Sequence, residues 1–262
     1  MVEYIRKELM AMCDKGDYAK FTSSLIPGCD NIIGIRQPVL KKYAKQLVKD
    51  NEDFRSLLKE KDIYHEETIL RAYVLGMGTA KEKDFNKALA DLKEFIPFVN
   101  NWAVNDCFCV EFRVIDKYRD EFLPYIKECI ASGEEFRARV GLILLLDHYV
   151  KVDINGNKQA RLKKVTLADI KEGDNPRTGR YIDEILKIAD RDFAKEGYYT
   201  QMAAGWLLAE CFVTYPAKVY EFLCDKDNLK LDTISYRKAV NKICESLTPE
   251  KEVKLKVRQL MK

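Results

Sequence analysis

The sequence predicts an all-α fold in which helix pairs stack as a solenoid, and three observations carry that expectation. Nearly every long segment keeps its apolar residues at helical spacing. The helices come in consecutive pairs, and the pairs recur, starting near residues 64, 101, 134, 197 and 233. Three of those four gaps are about 33–37 residues, the length of a helix-turn-helix repeat. A unit of that size cannot bury its apolar face alone, so neighbours stack over a shared core and present a concave face. With 262 residues the chain is long enough for one large domain, and a single domain over 1–262 is expected.

Each element has its own signal. "EYIRKELMAM" and "DYAKFTSSLI" open the chain as two helices, and "PGCDNIIGIRQP" breaks the pattern. "VLKKYAKQLV" follows through Pro38, which suits a first helical turn. The first pair is "HEETILRAYVLGMG" with "KEKDFNKALADLKEF", and the second is "NNWAVNDCFCVEF" with "DEFLPYIKECIAS". In the third, "EEFRARVGLILLLDHYV" is separated from "GRYIDEILKIAD" by extra length. The last pairs are "GYYTQMAAGWLLAECFV" with "AKVYEFLC", and "SYRKAVNKICESL" with "EKEVKLKVRQL". The extra length is "KVDINGNKQARLKKVTLADIKEGDNPRTG", 151–179, which loses the helical period and carries an Asn155-Gly156 turn signal. It is expected to form a small β-hairpin or loop insertion.

Composition narrows the function classes. At 47% hydrophobic and 33% charged the chain folds rather than staying disordered. Its net charge of +3 says little about partners, because a basic patch requires acids segregated elsewhere. The charged N-terminus is not expected to act as a secretory signal, no apolar run nears the roughly 20 residues that span a bilayer, and the scattered cysteines form no CxxC. A cytoplasmic protein with no membrane partner is expected. The two histidines, His65 and His148, have no second metal ligand at suitable spacing, and Cys107 and Cys109 point about 200° apart on a helix. "DINGNK" lacks the bidentate acid of a calcium loop. With no GxGxxG, GxxxxGK[ST] or GxSxG, neither metal, cofactor nor nucleotide is expected.

The stretch "NNWAVNDCFC" stands out, because Trp102 and Asp106 lie one turn apart on one face of an otherwise apolar helix. "GWLLAE" echoes it, with Trp206 four positions before Glu210. Periodicity alone favours a structural acid, paired or capping. Arg137 and Arg139 precede an apolar run near a helix start, where a cation is unfavourable without an anionic partner. That partner is equally a phosphate, a carboxylate such as Asp106, or solvent. The insertion is rich in cations, among them Arg161, Lys163 and Lys164, and suits either a phosphate backbone or a solvated loop.

These segments together resemble the AlkD-like DNA alkylation repair family, over most of the chain. "IIGIRQPVLKKYAK", "NNWAVNDCF", "RARVGLILLL", "QMAAGWLLAE" and "LDTISYRKAVNKI" occur in the family's order and spacing. The resemblance implies a right-handed α-solenoid of HEAT-like helical repeats and a monofunctional glycosylase. Such an enzyme excises cationic N3- and N7-alkylpurines from double-stranded DNA without a base-flipping pocket, acting as a monomer. It implies Asp106 as catalytic carboxylate, Trp102 and Trp206 as aromatic walls, and Arg139 as a backbone-binding arginine, with Arg137 its near neighbour. The family's lesion-side tyrosine falls at about Phe21, which lacks the hydroxyl, and compact members lack the 151–179 insertion. Two other functions stay open: a non-catalytic solenoid binding DNA structure through its insertion, and a protein-binding scaffold.

Overall fold

The computed structural model describes residues 2–14, 16–57, 62–171 and 177–261. Among them are thirteen α-helices and no strand, so the fold is all-α and built from helical repeats, as the periodicity predicts. The chain divides into two compact units, Met1–Phe122 and Leu123–Lys262.

The first unit holds α1 (Val2–Met12), α2 (Tyr18–Leu25), α3 (Gln37–Asp50), α4 (His65–Thr79), α5 (Phe85–Phe95) and α6 (Trp102–Glu111). Pro38 sits in the first turn of α3, where its missing N–H costs nothing. Asp84 caps α5 by accepting from the Asn86 and Lys87 amides, and Asn101 caps α6 by accepting from Ala103 and Val104. Helix α4 is buried almost all round because it packs against both α3 and α6. Phenylalanines fill the core beside it, with Phe95 and Phe108 stacked at 4.2 Å, Phe108 and Phe112 at 4.9 Å, and Phe122 edge-on to Phe112. The break before α3 is fixed by Glu66, whose carboxylate accepts the amides of Ile33, Gly34 and Ile35. Gly34 has φ +84°, and a Cβ there would lie 2.8 Å from the Ala19 nitrogen. Only glycine fits.

Helix α7 (Arg119–Ile130) runs across the division. The second unit continues with α8 (Glu135–His148), α9 (Ile182–Ala189), α10 (Tyr198–Thr214), α11 (Pro216–Cys224), α12 (Thr233–Glu245) and α13 (Lys251–Gln259). Helix α10 packs between α8 and α12. Gly205 permits that contact, since a Cβ there would lie 2.6 Å from the Lys238 Cβ. Asp232 caps α12 and also accepts from the Phe193 amide and the Gln201 side chain, tying three segments together.

The expected hairpin is corrected by the structure. The turn forms: Gly156 has φ +86°, the Asp153 side chain accepts the Asn155 and Asn157 amides, and Val152 bridges Lys158. No strand extends from it among the described residues, and 172–176 lie outside them. Beyond Gln159 the backbone finds partners elsewhere. The Leu162 amide donates to the Val213 carbonyl of α10, and Val165 exchanges bonds with Thr248 and Glu250 between α12 and α13. With Val152, Val165 and Ile170 buried, the insertion is a strap on the second unit rather than a free arm.

Candidate active site

In the first unit, α6 buries Ala103, Val104, Asn105, Phe108 and Cys109 and leaves one stripe open. That stripe is Trp102, Asp106 and Val110, four residues apart, with the acid half-buried. The Trp102 indole N–H donates to the Leu25 carbonyl at 3.0 Å. Leu25 ends α2, so its carbonyl is one that the helix cannot satisfy, and the bond sets the indole's orientation. Phe21 lies one turn earlier on α2 and is 55% exposed. The structure thus brings the Trp102–Asp106 stripe and the helix of Phe21 together. It adds Tyr18, missed in the sequence reading, whose ring lies 5.9 Å from Phe21 beneath the Arg36 guanidinium. Tyr18 returns a phenol close to where Phe21 lacks one; its three-residue spacing on a short helix was the available signal.

Asp106 accepts from the Asn105 side-chain amide at 2.9 Å. Next to it the Cys107 thiol hydrogen-bonds the Tyr73 hydroxyl at 3.2 Å, and that hydroxyl donates to Gln37 Oε1 at 3.0 Å. Burial pushes the Cys107 thiol up to about 11, the Tyr73 bond opposing it. Burial also raises the thiols of Cys29, Cys129, Cys211 and Cys244. A raised thiol is a poor nucleophile, so these cysteines serve packing. Lys41 pairs at 2.5 Å with the buried Glu111 on α6, which fixes the helix's far end.

In the second unit, α10 has a similar open stripe of Tyr198, Met202, Trp206 and Glu210, on a helix otherwise largely buried. Trp206 is 37% exposed. Glu210 is ion-paired, because Lys151 of the strap lies 2.7 Å away and Arg161 3.9 Å. That pairing was not legible in the sequence, where Lys151 and Glu210 are far apart. Arg139 is 4% exposed and donates to the Tyr199 carbonyl at 2.8 Å. Together with Glu135, which accepts the Tyr199 amide at 2.7 Å, it fastens the start of α10 to α8. Arg137 pairs with Glu128 at 2.8 Å and Glu134 at 3.4 Å, the carboxylate alternative of the sequence reading. On the strap, Lys164 pairs with Glu250, while Lys163 and Arg161 are exposed.

Among the described residues no three His, Cys, Asp or Glu side chains gather where they could hold a metal ion. No described helix is long and apolar enough to cross a membrane. No curated protein and no solved structure matches the chain. In the first unit a half-exposed carboxylate lies one turn from an indole, and in the second unit Trp206 is exposed. The family described as DNA alkylation repair enzyme matches residues 5–243, nearly the whole length, and the chain belongs to that family.

Proposed function

We propose that this DNA alkylation repair enzyme is a monofunctional glycosylase that hydrolyses the N-glycosidic bond of N3- and N7-alkylated purines in duplex DNA. The observation that supports this reading best is the open stripe of α6, where Asp106 sits half-buried one turn from an indole held in orientation by the Leu25 carbonyl. An alkylated purine is already cationic, so its departure needs no general acid. The barrier is the deoxyribose, which becomes oxocarbenium-like as the base leaves. A carboxylate fixed beside C1′ stabilises that charge and orients the water that adds there. The indole face of Trp102 adds about 0.5–2 kcal/mol toward a cation. In this reading Phe21 and Tyr18 lie on the lesion side. The exposed Arg161 and Lys163 meet phosphates and fix register without reading sequence, while Arg139, buried against the Tyr199 carbonyl, acts by holding the start of α10.

Repair by alkyl transfer to a thiol is disfavoured, because burial raises the pKa of the cysteine beside Asp106 and of four others. The deciding experiment is release of 7-methylguanine or 3-methyladenine from methylated duplex DNA. Release by wild type that collapses in Asp106→Asn supports the reading, and no release by wild type removes it. The exposed cations of the strap favour one second reading, binding of DNA structure without excision. That predicts salt-sensitive DNA binding lost on neutralising the strap, with no free base.

A further inference from the structure

The buried side of α6 is apolar except at one position. Asn105 is fully buried, while Ala103, Val104, Phe108 and Cys109 on the same helix are buried and apolar. Its Nδ2 donates to Asp106 Oδ1 at 2.9 Å, and its own Oδ1 is buried without a hydrogen-bond partner. A buried amide with its oxygen unpaired is destabilising relative to an apolar side chain of the same shape. Leucine would fill that space without the loss. Polarity at this position therefore weakens the fold, and the hydrogen bond that the side chain makes goes to the candidate catalytic acid.

Successive residues on a helix point about 100° apart, so the amide reaches from the buried side of α6 around to the open stripe. The main chain of α6 is held independently of it. Asn101 caps the first turn, and beyond Asp106 the Cys107 thiol is tied to Tyr73 and through it to Gln37. Phe108 stacks on Phe95 and Phe112. Those contacts place the Asp106 backbone, but they do not choose the rotamer of a half-buried carboxylate. A donor of fixed position on Oδ1 does. Its bond to an ionised acceptor is roughly twice as strong as one between neutral groups.

We propose that Asn105 is a positioning residue for Asp106, holding the carboxylate in the orientation that faces C1′ of the bound nucleotide. The proposal rests on the glycosylase reading and adds a residue that acts through the acid rather than on the substrate. A group stabilises developing charge best when it is already aimed, because turning it during the reaction consumes part of the benefit. A misplacement of about 1 Å costs on the order of 100-fold in rate. Asn105 supplies the aim from the core, where packing locks the amide in place.

The test uses Asn105→Leu and Asn105→Ala in the full chain, each made alone and again together with Asp106→Asn. Single-turnover release of 7-methylguanine from methylated duplex, duplex Kd and Tm are measured for all. Both single variants should release base about tenfold more slowly or worse, the scale of one hydrogen bond to a charged group, with Kd unchanged. Asn105→Leu should melt no lower than wild type, since it removes the unpaired buried oxygen. Combined with Asp106→Asn, neither substitution should slow release further, because the charge to be aimed is gone. Wild-type rates in the single variants overturn the proposal, as does a further tenfold loss on top of Asp106→Asn. Weaker duplex binding with a lower Tm in both variants marks a structural role and overturns it too. If Asn105→Leu does not fold, Asn105→Ala decides alone. Release by wild type that is indifferent to Asn105 leaves the glycosylase and removes the positioning role, whereas no release by wild type removes both.

Discussion

Asp106→Asn is the sharpest perturbation, because it removes the charge and keeps the shape of the side chain. Asparagine has the same shape, and its Oδ1 still accepts from the Asn105 amide that reaches Asp106 Oδ1 at 2.9 Å. Stability should therefore change by less than about 1 kcal/mol. The effect on chemistry follows from Coulomb's law. A carboxylate about 4 Å from a full positive charge contributes roughly 4 kcal/mol at an effective dielectric near 20. Asp106 is half-buried rather than enclosed, and the sugar carries only part of a charge at the transition state. Both reduce the figure to about 2.7 kcal/mol, or roughly 100-fold in rate. Single-turnover release of 7-methylguanine from methylated duplex DNA measures that rate, and thermal melting measures the fold. A variant that melts like wild type and releases base at the wild-type rate would refute the electrostatic role of Asp106.

Asp232→Ala should lower stability by about 2 kcal/mol, measured by urea unfolding, because it removes the cap of α12 and its bonds to Phe193 and Gln201. Burial by itself raises the Asp232 pKa, but hydrogen bonds from Ser235, Phe193 and Gln201 outweigh it and hold the carboxyl below its ordinary value. A lowered folded pKa gives stability that is present above the unfolded value of about 3.9 and lost as pH falls through the folded one. Wild type should lose stability over that acid range, and Asp232→Asn should lose less. Gly34→Ala should cost about 2 kcal/mol or more by the same measurement, since its φ is +84° and the new Cβ meets the Ala19 backbone; a neutral result would refute the close packing of α2. Neutralising Arg161, Lys163 and Lys164 to glutamine should reduce the salt dependence of duplex binding by roughly two to three counterions, with Lys163 the largest single share. Lys164 is held by Glu250 and Arg161 lies near Glu210, so an equal effect from all three would contradict the strap's ion pairs.

Helix order, the paired repeats and the Trp102–Asp106 stripe were legible in the sequence, because helical periodicity and caps are local properties read within a few residues. Asn101 marks the start of α6 by its own side chain, and spacing alone puts Trp102 and Asp106 on one face. The insertion was legible in position and in its Asn155-Gly156 turn, but not in form. A hairpin requires that a strand's best partner be its neighbour in sequence, and here Val213, Thr248 and Glu250 offered the backbone better ones. The roles of charged residues were equally hidden. Whether Glu210 is a second site acid or an ion-pair partner depends on Lys151, and whether Arg139 faces solvent or braces α10 depends on Tyr199. The buried Nε2 of His65, which has no hydrogen-bond partner, belongs to the same class, since that depends on what packs around the ring. The sequence by itself determined which residues are helical and which faces are apolar, since both follow from the chain's own dihedrals and spacing. Only the tertiary structure decided which charges are paired, buried or open, because that depends on groups brought within a few ångströms by packing.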